Sequence, residues 1–292
     1  MRFLNNGHLA ETVARFAHAL NKEYPTGVDE LAPAYRKAIT TLRPYASAET
    51  GVRVSYEDGP WADHCRENGI FEHIFAGATA TGDPTREAWD LKVHGAFEHV
   101  RDLEPDLHRM VELLVTDVVV LNSGVDGGGS VNTVPGLVVM SPAEGWEVED
   151  FAECLVHEGL HTGLFLMDMV YGMFNLTSAA MEADEYRALS AVKIGQMRPL
   201  DKAFHAAAVA VPLMYMQHRR GVSTLVDLYT KSLRDACESL LEQREHFTGY
   251  GRMLLDEMVR WADTAPDPLD FQEVARSISD PAYAGVEPEV AA

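Results

Sequence analysis

From the N-terminus, Leu9, Val13, Phe16, Ala17 and Leu20 recur at three- and four-residue spacing, which predicts an amphipathic helix over 9–24, closed by Pro25-Thr26-Gly27. The same period predicts a helix over 28–42, opening at Asp29 and ending before Pro44, and others over 61–77, 84–100 and 105–114. Asp83-Pro84 supplies a cap and a first-turn proline for the one over 84–100. Residues 44–60 are mixed, with Gly51 and Asp58-Gly59-Pro60 as turn signals.

At Val115 the period changes. Residues 115–121 are short and β-branched, and 135–140 repeat that texture, so both read as strands. Between them, 122–132 (NSGVDGGGSVN) is glycine-rich and reads as a plain loop, with a hairpin tip or an active-site flap also open. It is not a phosphate loop: no Gly-Lys-Ser/Thr follows, and no helix starts there. Beyond it the pattern is helical: 150–167, 179–194, 199–219 with a kink expected at Pro212, 222–246, 250–262 and a short piece near 270–278. The expectation is a mainly helical α+β fold, one domain over 1–292, with a small β-hairpin or sheet next to a buried helix. Its core would lie at about 115–220 and an acidic C-terminal tail at about 264–292.

Composition narrows the function classes. The chain has 292 residues, 47% hydrophobic and 24% charged, as in an ordinary globular protein, but its net charge is −21. Such a surface repels phosphate backbones and anionic headgroups, which argues against nucleic-acid and membrane partners. Any anionic ligand must then meet a local cation. No apolar run of membrane-spanning length occurs. The three distant cysteines, Cys65, Cys154 and Cys237, suggest no disulfide framework, and the N-terminus has no secretion-signal pattern. The expected location is cytoplasmic.

The chemistry concentrates in His157-Glu158-Gly159-Leu160-His161. On a helix, two histidines four residues apart leave the same face, where both imidazoles can ligate one metal ion. Glu158 lies beside that ion, placed to take a proton from bound water. Cys154, His157, His161, Leu164 and Phe165 share a face while Leu155, Val156, Leu160 and Met167 fill others, so the helix is apolar all round and reads as buried. Buried imidazoles and a buried carboxylate need partners, and a shared metal supplies one.

For a third ligand two residues compete. Glu182, or Glu185 beyond it, stands 21 residues after His161 (182 − 161) at a distance a zinc peptidase can use. His205 stands 44 residues after it (205 − 161) in an otherwise apolar run of Phe, Ala and Val. The HExxHxxGxxH pattern is absent, since leucine and methionine occupy the later positions.

The order PGLVVMSP, HEGLH, Ser190-Ala-Val-Lys193, then Arg198-Pro199-Leu200 and His205 resembles the HExxH-motif peptide-modification family. The resemblance covers roughly residues 115–215. It implies an iron(II)- and 2-oxoglutarate-dependent oxygenase that hydroxylates an amino acid, peptide or related metabolite at an unactivated carbon, with His157, His161 and His205 as ligands. Three protein ligands leave three positions for the keto acid and O2. The far carboxylate of the keto acid needs a cation, and Arg198, with a planar guanidinium, suits that role ahead of Lys193 and Arg187. Asp201, one turn before His205, would orient it or cap the helix. The alternative is a zinc hydrolase with His157, His161 and Glu182 as ligands and Glu158 as general base.

Overall fold

The computed structural model describes residues 1–263 and 269–279. In chain order its helices and strands are α1 (Asn6–Asn21), α2 (Val28–Thr40), β1 (Arg53–Ser55), α3 (Pro60–Glu67), α4 (Glu72–Phe75), α5 (Asp83–Leu103), α6 (Pro105–Leu114), β2 (Asp117–Val120), β3 (Gly127–Gly129), β4 (Leu137–Ser141) and α7 (Val148–Tyr171). Then come α8 (Ser178–Met181), β5 (Arg187–Leu189), β6 (Met197–Pro199), α9 (Leu200–Arg219), α10 (Thr224–Glu242), α11 (Gly249–Asp263) and α12 (Phe271–Ile278). The fold is α+β and mainly helical, as expected. Among the described residues no helix is long and apolar enough to cross a membrane.

The chain forms two compact units. Among the described residues one comprises Val13–Thr162, and the other Met1–Thr12 together with those from Gly163 onward; the division falls within α7.

The first unit holds a four-stranded sheet in the order β1-β2-β4-β3. β1, β2 and β4 run parallel, and β3 closes one edge antiparallel to β4, with Gly128 opposite Met140. β2 and β4 are fully buried, which is why residues 118–120 and 137–140 read as apolar runs without alternation. Val119, Leu121, Leu137 and Val139 pack with Trp61, Cys65, Ile74 and Phe75. Buried among these elements is an ion pair, Arg43 to Asp117 at 2.8 Å, with both side chains fully enclosed. Trp61 Nε1 donates to the other Asp117 oxygen at 3.2 Å, and Arg43 also donates to the Thr116 hydroxyl and the Pro135 carbonyl. Gly136, at φ 85°, turns the chain beside this network; a Cβ there would come within 2.7 Å of Thr116 Oγ1.

In the second unit α9 is buried along most of its length and continues through Pro212. It packs on α10, α12 and a two-stranded hairpin formed by β5 and β6. Phe204 and Phe247 both pack against Phe174.

Four expectations are corrected. The helix expected over 61–77 is two, α3 and α4, because Gly69 and Phe71 both adopt left-handed backbone. The glycine-rich stretch over 122–132 contains a strand, β3, and the mixed stretch over 44–60 contains β1. The helix expected over 179–194 is absent: α8 stops at Met181, and β5 pairs with β6 instead. Tertiary partners outweigh its helical propensity, since Leu189 N–H donates to Ser239 Oγ, the Ser232 hydroxyl donates to the Ala191 carbonyl, and Gly195 at φ 75° allows the turn. Of the expected tail over about 264–292, residues 269–279 are described, and they hold α12; the rest lies outside the described residues.

Removing one partner of the enclosed ion pair strands the other. Asp117→Ala is expected to destabilise the protein by about 3–5 kcal/mol, read as a lowered urea midpoint.

Candidate functional site

α7 is helical through the whole motif, so His157 and His161 leave one face as their spacing requires. Their Nε2 atoms lie 3.1 Å apart, with ring centroids at 4.8 Å and planes at 73°. A metal at about 2.1 Å from each nitrogen, subtending roughly 90–109°, separates them by about 3.0–3.4 Å. The pair therefore fits two positions of one coordination sphere. The same separation accommodates a single N–H···N hydrogen bond when one ring carries the Nε2 proton. Among the described residues no group of three His, Cys, Asp or Glu side chains has the arrangement of a metal cage. The fit is that of the two-nitrogen pair.

Glu158, between them in sequence, is 4% exposed. Its Oε2 accepts a hydrogen bond from Ser130 Oγ at 2.7 Å, while Oε1 stands 3.9 Å from His157 Nε2. Burial pushes the carboxyl up to about 7, against the opposing pull of the Ser130 hydrogen bond. One turn earlier, burial and then the charge of Glu158 raise the Cys154 thiol well above its usual range.

Ser130 was not legible as a site residue. It follows the glycine strand β3, and that strand lies directly on α7. A Cβ at Gly128 would meet Cys154 Sγ at 2.6 Å and Glu158 Oε1 at 2.9 Å. The signal was three consecutive glycines beside a strand, a pattern that marks close backbone approach as readily as a loop.

No family model and no curated protein matches this chain.

The remaining sequence candidates belong to the second unit. His205 is 5% exposed in α9, its ring 4.9 Å from that of Phe165. Burial, then the charge of Arg198, lowers its pKa to about 3, so the imidazole is neutral and keeps a lone pair throughout the physiological range. Arg198, in β6, is half-buried, and burial lowers its pKa against the attraction of Asp201 and Glu182. Among the described residues no carboxylate forms an ion pair with it. The hairpin thus brings Arg198 and His205 within electrostatic reach of each other.

Lys193 sits in the exposed hairpin turn, where its N–H is bound by Ser190 Oγ at 3.0 Å; the Ser-x-x-Lys segment is a turn. Glu182 is exposed and held by Lys202 Nζ. Asp201 Oδ1 accepts from the Lys202 N–H at 2.8 Å, at the start of α9.

The raised carboxyl makes stability depend on pH. Unfolded Glu158 loses its proton near 4.5, whereas the folded protein keeps it until about 7. Across that window the unfolded state binds fewer protons, so stability falls as pH rises. In chelator-treated protein, Glu158→Gln is expected to remove this loss. The variant gains on the order of 3 kcal/mol over wild type between pH 5 and pH 8, read as diverging denaturation midpoints.

Proposed function

We propose that the chain is a mononuclear iron(II)- and 2-oxoglutarate-dependent oxygenase that hydroxylates an amino acid, a peptide or a related small metabolite at an unactivated carbon. His157 and His161 would hold the metal, and their Nε2 separation of 3.1 Å supports this. The third ligand of the proposal, His205, is taken from the sequence; its burial and neutral state suit a ligand better than the exposed, lysine-paired Glu182. Bound there together with 2-oxoglutarate, iron(II) would supply the activation of O2, the oxidant of the hydroxylation.

The observation that favours oxygenation is Arg198. A half-buried guanidinium with no ion-pair partner among the described residues, in a chain of net charge −21, is a scarce resource. It suits the distal carboxylate of a keto acid, which it can grip through two parallel hydrogen bonds. Lys193 is the less suited cation, because a solvated ammonium in an exposed turn gains little from one more anion. In this reading Glu158 holds its place beside the pair and need not act as a base. A cytoplasmic location belongs to the same proposal and is supported by three buried, free cysteines.

Zinc-dependent hydrolysis is the second reading. It is favoured by one specific observation: a carboxyl raised to about 7 is tuned for general-base work near neutrality, and Oε1 faces His157.

Incubation with Fe(II), 2-oxoglutarate and O2 is expected to yield succinate even without the true substrate. No succinate together with tightly bound zinc would overturn the oxygenase reading. His205→Ala is expected to abolish stoichiometric Fe(II) binding, measured by metal analysis after anaerobic gel filtration. Arg198→Ala is expected to raise the KM for 2-oxoglutarate roughly 10- to 100-fold, the worth of a charge-assisted hydrogen bond of about 1.5–3 kcal/mol. Glu158→Gln separates the two chemistries: substantial residual turnover fits the oxygenase, and total loss with metal retained fits the hydrolase.

A further inference from the structure

We infer that Ser130 is a positioning residue for the imidazole pair: its hydroxyl ties one oxygen of Glu158 to the glycine strand and so turns the other toward His157. The inference rests on the metal reading above and adds a residue that the motif does not contain.

A glutamate side chain has three rotatable bonds, and nothing in α7 itself fixes where its carboxylate points. The apolar neighbours of the helix offer it no hydrogen bonds. Ser130 does, at 2.7 Å from Oε2, and Oε1 is then left 3.9 Å from His157 Nε2. Held there, the carboxylate would orient and electrostatically support the imidazole pair that would hold the metal.

The strand just before Ser130 is itself fixed from both sides. On one side Gly128 lies against Cys154 and Glu158, whose side chains a Cβ would push aside. On the other, the Phe71 ring presses on Gly129, and a Cβ there would come within 2.5 Å of it. Phe71 holds a left-handed backbone at φ 55°, a conformation a bulky residue adopts only when its surroundings enforce it. β4 completes the clamp by pairing with all three glycines. The hydroxyl of Ser130 is therefore presented to Glu158 by a rigid support, as a residue that orients a metal-site group requires.

The test uses the full chain loaded with Co(II), whose visible absorption reports the geometry around the metal. Ser130→Ala is expected to change the position or intensity of the Co(II) bands and to lower the affinity for Co(II) roughly 10- to 100-fold. Ser130→Thr, which keeps the hydroxyl, is expected to restore both. In a Glu158→Ala background, Ser130→Ala is expected to have no further spectral effect, because the two residues act as one unit. Gly128→Ala, which displaces Glu158 without touching the hydroxyl, is expected to reproduce the spectral change and carries the test should Ser130→Ala fail to fold.

A wild-type spectrum in Ser130→Ala, or an undiminished effect of that change in the Glu158→Ala background, would overturn the inference. Wild-type protein that binds Co(II) but forms no succinate overturns the oxygenase reading and leaves the spectral test of Ser130 standing. Wild-type protein that takes up no Co(II) overturns both.

Discussion

One turn of an otherwise apolar helix carries two imidazoles and a carboxylate, and the groups around it answer to that constraint. A buried carboxylate without hydrogen bonds is among the most unfavourable groups a core can hold. The fold meets it with a hydroxyl on one oxygen and leaves the other beside a histidine. The histidines meet each other at Nε2. A cation at that point would relieve the repulsion between two facing lone pairs and the desolvation of Glu158 together, which is why a metal is the economical explanation of the motif.

The same constraint explains the oddest part of the sheet. Three glycines are a poor strand by propensity, since they give up the most backbone freedom and pack no side chains. Here Gly128 lets the strand sit directly on Cys154 and Glu158, where a Cβ would push both side chains aside, and Gly129 leaves room for the Phe71 ring. Pairing with β4 then holds the strand in place of side-chain packing. Local stability is given up where close approach to a polar group demands it, the usual relation between strain and site.

What was legible in the sequence divides along the length of the pattern. α7, α9 and α11 span several turns of consistent period, and β2 and β4 are built on short apolar runs, so each could be read before any contact was known. β1, β3, β5 and β6 have three residues each, too few to show alternation. Their existence depends on partners remote in the chain. Arg187–Leu189 sits in a stretch rich in helix formers, yet Ser239, Ser232 and the turn at Gly195 draw it into a hairpin. His157, Glu158 and His161 were visible because one helical turn encodes their geometry locally. Ser130 was not, because its distance to Glu158 is set by a sheet register that spans 28 residues of chain.

The hairpin also bears on which cation an acidic protein would reserve for an anion. Lys193 and Arg198 lie five positions apart, yet the turn places Lys193 in solvent and the strand keeps Arg198 half-buried, one residue before the proline that opens α9. Partial burial strips water from the guanidinium and makes a carboxylate partner worth more, while the planar fork fixes the angle at which that partner arrives. Burial is the main reason the His205 ring stays neutral, and the field of Arg198 adds to it by raising the free energy of an imidazolium there. A neutral imidazole is the form that can donate a lone pair to a metal. Under the oxygenase reading the one arginine therefore serves two requirements, an anion to be gripped and a ligand to be kept unprotonated. Charge reversal at position 198 would act against both at once.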